Sequence, residues 1–223
     1  MTLDIIIDLV KKHTGMDVSS VTGITGGYRN KVYLATTESG DVILKKHRSV
    51  SDFKNEIEAY KLFGECGCRI PKLLFTDPDQ QVMGLQYLKA RTLEDRQSRA
   101  YYLETVRLLA DTYQKTGHLK DDGSLSFRRT PEELFEGAKL LERNAGFSPT
   151  PRFRSYIQQC YKLMTESAPR LIVGSFIPEN VVRSDQDYHI DLEMASYGRP
   201  SDDLAYFSLF SGVNMFDVAS ATH

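Results

Sequence analysis

Two neighbouring segments constrain this chain more than anything else in it. The first runs from Leu171 to Val182 and contains Gly174, Ser175, Pro178, Glu179 and Asn180; the second is His189-Ile190-Asp191-Leu192-Glu193. Apolar residues flank both, so the pattern is a loop, a short strand, a hairpin turn and a second short strand. That order brings an amide oxygen, Asn180, and a carboxylate, Asp191, to the two sides of one hairpin. Both are hard oxygen donors, the kind that suits a hard dication. Ser175 lies five positions before Asn180.

Bulk properties narrow the field. A chain of 223 residues with 41% hydrophobic and 26% charged residues can bury one substantial core or two small lobes around a cleft. The formal net charge of −2 gives no footprint for nucleic acid or an anionic membrane. No apolar run reaches the ~20 residues needed to span a bilayer. Asp4 and Asp8 interrupt the apolar N-terminus, which reads as an amphipathic helix rather than a signal peptide. The three cysteines are an odd number, and Cys66-Gly67-Cys68 is too tightly spaced for an ordinary disulfide or a complete zinc site. Reduced thiols and a cytoplasmic location are the expectation.

Periodicity supplies the elements. Residues 3–14 read as a helix ending near Gly15, followed by strands over Val21–Thr25, Lys31–Thr37 and Asp41–Lys46. A helix follows over Ser51–Cys66, with Ser51 or Asp52 as N-cap, and then strands over Leu73–Thr76 and Val82–Leu88. From Leu93 the pattern turns helical, with helices expected over Leu93–Gly117, from the Thr130-Pro131-Glu132-Glu133 capping box to Gly146, and over Arg152–Ala168.

The loop Gly174–Asn180 resembles the His-Gly-Asp-x-His-x-Gly-Asn loop of aminoglycoside phosphotransferases and choline-kinase-like enzymes. Val173, Ser175, Ile177 and Glu179 depart from it at the first His, the Asp, the second His and the Gly. Ile190–Ala195, Tyr197–Pro200 and Asp202–Ala205 are similar to the same family's Asp-x-Glu-x-Ala and Gly-x-Pro-x-x-Asp-Leu-Ala run, and the likeness extends from about Val21 to Phe207. It implies an α+β, two-lobed protein-kinase-like fold. An antiparallel-sheet nucleotide-binding lobe would occupy residues 1–90, and a mainly helical lobe residues 91–223.

The resemblance also implies roles. Gly26, Gly27 and Asn30 match a phosphate-binding loop, where glycines let backbone N–H groups approach phosphates closely. Lys45 is the inward lysine for the α- and β-phosphates, since Lys46 must face the other way under two-residue alternation. Glu56, or less favourably Glu58, pairs with it. The backbone around Tyr87 faces a purine edge, of ATP or GTP. Asn180 and Asp191 ligate Mg2+, Glu193 stands behind them, and Asp203 anchors the loop. Ser175 occupies the place of the general base; Glu179 is read as a loop carboxylate or a substitute base. A hydroxyl cannot accept a proton as a carboxylate does, and a lost general base costs ~10²–10⁴ in rate. Two functions follow: a magnesium-dependent phosphotransferase acting on a hydroxyl of an unidentified small molecule, or a catalytically inactive pseudokinase acting as a nucleotide-binding or scaffold protein. Oligomeric state is left open.

Overall fold

A computed structural model of the chain describes residues 2–24, 30–92, 99–126 and 169–213. Helix α1 (Leu3–Thr14) stops at Gly15 and turns Ile6, Leu9 and Val10 inward. Five strands follow: β1 (Val18–Ile24), β2 (Lys31–Thr37), β3 (Val42–Lys46), β4 (Leu73–Asp77) and β5 (Val82–Gln86). They form one antiparallel sheet in the order β1-β2-β3-β5-β4.

Alternation gives this sheet two faces with different duties. Val42, Leu44 and Val82 pack with Ile6, Val10, Ala35 and Phe75 in a core beneath α1. On this face residue 84 must be glycine, because a Cβ there would stand 2.2 Å from the Phe75 ring. The opposite face carries Ile43 paired with Leu85 and Lys45 paired with Met83. There Met83 and Leu85 join a second core with Ala59, Tyr60 and Phe63 of α2 (Val50–Glu65). Lys46 points the other way, its Nζ bonded to the Gln80 carbonyl, as alternation requires.

Some expected boundaries shift. The N-cap of α2 is Ser49, whose side chain accepts from the Ser51 and Asp52 amides, rather than Ser51 or Asp52. Ser49, Ser51 and Asp52 can all cap, and the local chain path selects the first. Strand β5 ends at Gln86 rather than Leu88; the Tyr87 amide still donates to the Asp41 carbonyl at 3.2 Å, one step beyond the Val42–Gln86 pair.

Beyond Tyr87 the chain crosses to a set of short strands. β6 (Arg91–Thr92), β8 (Val181–Arg183) and β9 (Asp187–His189) form one antiparallel sheet. β7 (Arg170–Ile172) pairs with β10 (Ser196–Gly198). Helix α3 (Arg99–Thr116) buries Val106, Leu108 and Leu109, and α4 (Pro200–Ser211) buries Phe207. The first six residues of the helix expected from Leu93, and the two helices expected within 130–168, lie outside the described residues. No described helix is long and apolar enough to cross a membrane. Cys66 and Cys68 are free.

Candidate functional site

The sheet's open face, α2 and the loop after β7 enclose a cleft of about 990 Å³. Its centre is Lys45. From β3, its ammonium reaches Glu56 Oε2 at 2.7 Å and Oε1 at 2.9 Å, bonds Asp191 Oδ1, and lies 3.8 Å from Glu193 Oε2. Burial alone would push this lysine down, but Glu56, Asp191 and Glu193 outweigh it and hold its pKa above the ordinary value. Glu56, fully buried, would be pushed up by desolvation, yet Lys45 and His47 keep it below the usual carboxylate range and therefore charged. Glu193 moves up, through burial and the neighbouring Asp191.

Helix α2 does more than supply Glu56. Glu56 Oε1 accepts the Leu192 amide at 3.2 Å, and Asn55 donates to the Glu193 and Ala195 carbonyls, both at 3.0 Å. Two successive helix residues thus fasten α2 to the segment that carries Asp191. The Asn55 oxygen accepts from the Ser126 amide at 2.8 Å, so nothing polar on that buried side chain is wasted. Asp191 adopts φ of 59°, a left-handed conformation that aspartate tolerates better than most residues and that turns its carboxylate toward Lys45.

The loop is held from behind. Asp203, wholly buried at the start of α4, accepts the Val173 and Gly174 amides at 2.8 Å each and the Tyr113 hydroxyl at 2.8 Å. Burial and that carboxylate push the Tyr113 phenol well up, fixing it as a donor. Gly174 has φ of 82°, and a Cβ there would fall 1.8 Å from the Met194 carbonyl, so only glycine lets the loop meet the metal-type segment. Phe176 stacks on Phe207 at 4.8 Å and meets His189 edge-on, which anchors the loop's apolar side.

At the head of the loop, Asn180 donates to the Ser175 carbonyl at 3.0 Å and to Ser175 Oγ at 3.2 Å, and Ser175 Oγ donates to the Asp191 carbonyl at 3.3 Å. With its amide nitrogen committed, Asn180 offers its oxygen for ligation. Glu179, in a 3₁₀ turn over Pro178–Asn180, is half-buried rather than solvent-exposed; it lines the cleft, and its Oε2 has no partner among the described residues.

The expected residues therefore converge. Lys45, Glu56, Tyr87, Ser175, Asn180 and Asp191 all line the cleft, as does Asn30, whose amide bonds Glu193. Glu58 does not: it pairs with Lys61 on the helix surface. Gly26 and Gly27 lie outside the described residues. Of the backbone groups around Tyr87, expected to face a purine edge, the Tyr87 amide donates to the Asp41 carbonyl. Sequence reasoning missed the polar roles of buried His47 and Asn55 and of half-buried Tyr113, which act across 9 to 140 positions of sequence. Their environment has no local signature.

The carboxylates of Glu56, Asp191 and Glu193 bring oxygens within 4.8 Å of one another, with the Lys45 ammonium among them. Glu56 is fully engaged by Lys45, His47 and Leu192, so the donors suited to a small hard dication are Asp191, Asn180 and, behind them, Glu193.

The model of the phosphotransferase enzyme family matches residues 20–219. No curated protein matches the sequence. Among solved structures, the chain is similar to choline kinase LicA from Streptococcus pneumoniae, at 21% identity and a TM-score of 0.69, covering 98% of this chain and 78% of that one. It is also similar to APH(2")-IIia, solved with GDP and kanamycin, at 18% identity and a TM-score of 0.72, covering 99% of this chain and 83% of that one. Macrolide 2'-phosphotransferase MphH from Brachybacterium faecium matches at 16% identity and a TM-score of 0.66, over 99% and 82% of the two chains. At these identities the likeness establishes a shared kinase-like fold.

Proposed function

This chain belongs to the phosphotransferase enzyme family, and we propose that it is a nucleotide- and magnesium-dependent phosphotransferase acting on a hydroxyl of a small molecule, slowed by Ser175. The single observation that carries this reading is the Lys45–Glu56–Asp191 constellation: a buried lysine, held charged by a buried glutamate, aimed at a carboxylate on the opposite wall of the cleft. A nucleotide in the cleft would set its phosphates against Lys45, with its base toward the Tyr87 carbonyl and the Leu88 amide. Nucleotides in similar proteins, GDP in one and AMP in another, support the cleft as a nucleotide site without choosing between ATP and GTP.

Asp191 and Asn180 would hold magnesium, which supplies neutralisation of the charge on the transferring phosphoryl group. The chain's own residues do the rest. Lys45 neutralises the non-transferred phosphates, while Glu56 stops it from swinging into solvent. Asn180 ties the loop's ligand end to Ser175 and so fixes the distance between the metal-type donors and the acceptor side. In transfer, the bond from γ-phosphorus to the bridging oxygen breaks as a bond to the acceptor oxygen forms, and the acceptor's proton must leave. Ser175 is a poor recipient: its hydroxyl is neutral and occupied by Asn180 and the Asp191 carbonyl. That favours a second reading, a pseudokinase that binds nucleotide and transfers nothing.

The test is thermal unfolding with ATP or GTP, each with magnesium and with EDTA. A nucleotide at 100 times its Kd stabilises a protein by about 2.7 kcal/mol. A shift that needs magnesium and vanishes in Asp191→Ala supports the nucleotide site. No shift with either nucleotide sinks the phosphotransferase reading and leaves a kinase-shaped scaffold.

A further inference from the structure

His47 lies just past β3, outside every position that the sequence singled out, and is 1% exposed. Its backbone amide donates to the Gln81 carbonyl at 3.0 Å, and its ring meets Phe53 of α2 edge-on with centroids 5.5 Å apart. Those two contacts aim Nε2 at Glu56 Oε2, 2.6 Å away, with both side chains fully buried. Its other nitrogen, Nδ1, has no partner among the described residues, so the ring's polar commitment is to Glu56 alone.

We infer that His47 is a positioning residue for Lys45: it holds and compensates Glu56 so that the lysine can turn toward a ligand's phosphates without stranding a buried carboxylate. Glu56 has two jobs that conflict. It must keep Lys45 in place, yet Lys45 also engages Asp191, the carboxylate wanted for the metal. When Lys45 leans into the cleft, an isolated Glu56 would lose its main counter-charge, and an uncompensated buried charge is strongly unfavourable. His47 on Oε2 and the Leu192 amide on Oε1 remain through that movement. The carboxylate is therefore fixed from both sides, independently of the lysine it orients.

The inference rests on the phosphotransferase reading for its nucleotide, but not for its geometry, and the experiment separates the two. His47→Leu keeps bulk without a donor, His47→Gln keeps an N–H that can reach Glu56, and each is also built on Lys45→Met. Two quantities are read: the hydrogen-exchange rate of the Lys45 ammonium by NMR without ligand, and the Kd for magnesium-ATP or magnesium-GTP. Hydrogen bonds to buried charges correspond to about tenfold or more in an equilibrium. His47→Leu is expected to speed ammonium exchange and weaken nucleotide about tenfold, His47→Gln to recover most of both, and His47→Leu to leave the Kd of the Lys45→Met background, which has no ammonium to read, unchanged. If His47→Leu lowers Tm but leaves ammonium exchange and Kd unchanged, His47 is only a packing residue and the inference is overturned. If the parent chain binds neither nucleotide, the functional reading fails, while the ammonium comparison still decides the role of His47.

Discussion

At the sheet end of the cleft, Lys45 is gripped by three carboxylates, one of them backed by His47 and a backbone amide. At the loop end, Ser175 is held just as closely, but its partners are an amide and a backbone carbonyl. Both ends are ordered by buried hydrogen bonds; they differ in charge. Under the proposed phosphotransferase reading, the difference shows where catalysis would depend on this chain's own residues. Positioning and charge neutralisation carry most of phosphoryl transfer, and the groups for them are assembled. A carboxylate able to take the acceptor's proton is missing from position 175, and Glu179, with a buried oxygen that has no partner among the described residues, is the anionic residue of that loop.

The contrast can be broken most severely at Glu56. Glu56→Ala removes one member of a buried ionic cluster and should destabilise the fold by about 3–5 kcal/mol, read from the urea midpoint. A loss below about 1 kcal/mol would mean that the pair behaves like a surface ion pair. Asp203→Asn comes next. It replaces an acceptor of three hydrogen bonds with an amide that must point a donor at the Val173 or Gly174 amide, or at Tyr113. About 2–3 kcal/mol should be lost, together with any magnesium-dependent nucleotide shift, because the loop carrying Asn180 is released.

The smallest effect lies away from the cleft and sharpens the comparison by serving as a control. Burial would raise Asp77, but His13, Lys12 and the Gln80 amide bring its pKa down to about 2, from an ordinary 3.8. A depressed carboxylate stabilises the fold above its unfolded pKa and loses that contribution as pH falls through its folded value. Melting temperature should therefore decline between about pH 4 and pH 2. Asp77→Asn should flatten that limb while leaving nucleotide binding intact.

Much of this was legible in the sequence, and the boundary is physical. Two-residue alternation separated Lys45 from Lys46, because strand geometry is local. Asn180 and Asp191 around their hairpin, and Asp203 as an anchor, were read from their places in the family's motif. Glu56 was preferred to Glu58 only through the resemblance; the structure separates them by burial, 0% against a surface pair with Lys61. The polar roles of His47, Asn55 and Tyr113 were not legible, since a histidine, asparagine or tyrosine looks like any other until the fold brings its partner from another element. Of the short strands only the β8–β9 hairpin showed in the sequence; β6, β7 and β10 run to two or three residues each, too short for periodicity to show.

The most direct test of the central claim is magnesium-dependent nucleotide hydrolysis, with water as the acceptor, in the parent chain, Ser175→Asp and Ser175→Asp with Asp191→Ala. If the charge-handling end is intact and only the proton acceptor is lacking, Ser175→Asp should raise turnover by ~10²–10⁴, and adding Asp191→Ala should abolish the gain. No rise in Ser175→Asp, in protein that folds and still binds nucleotide, would contradict the account.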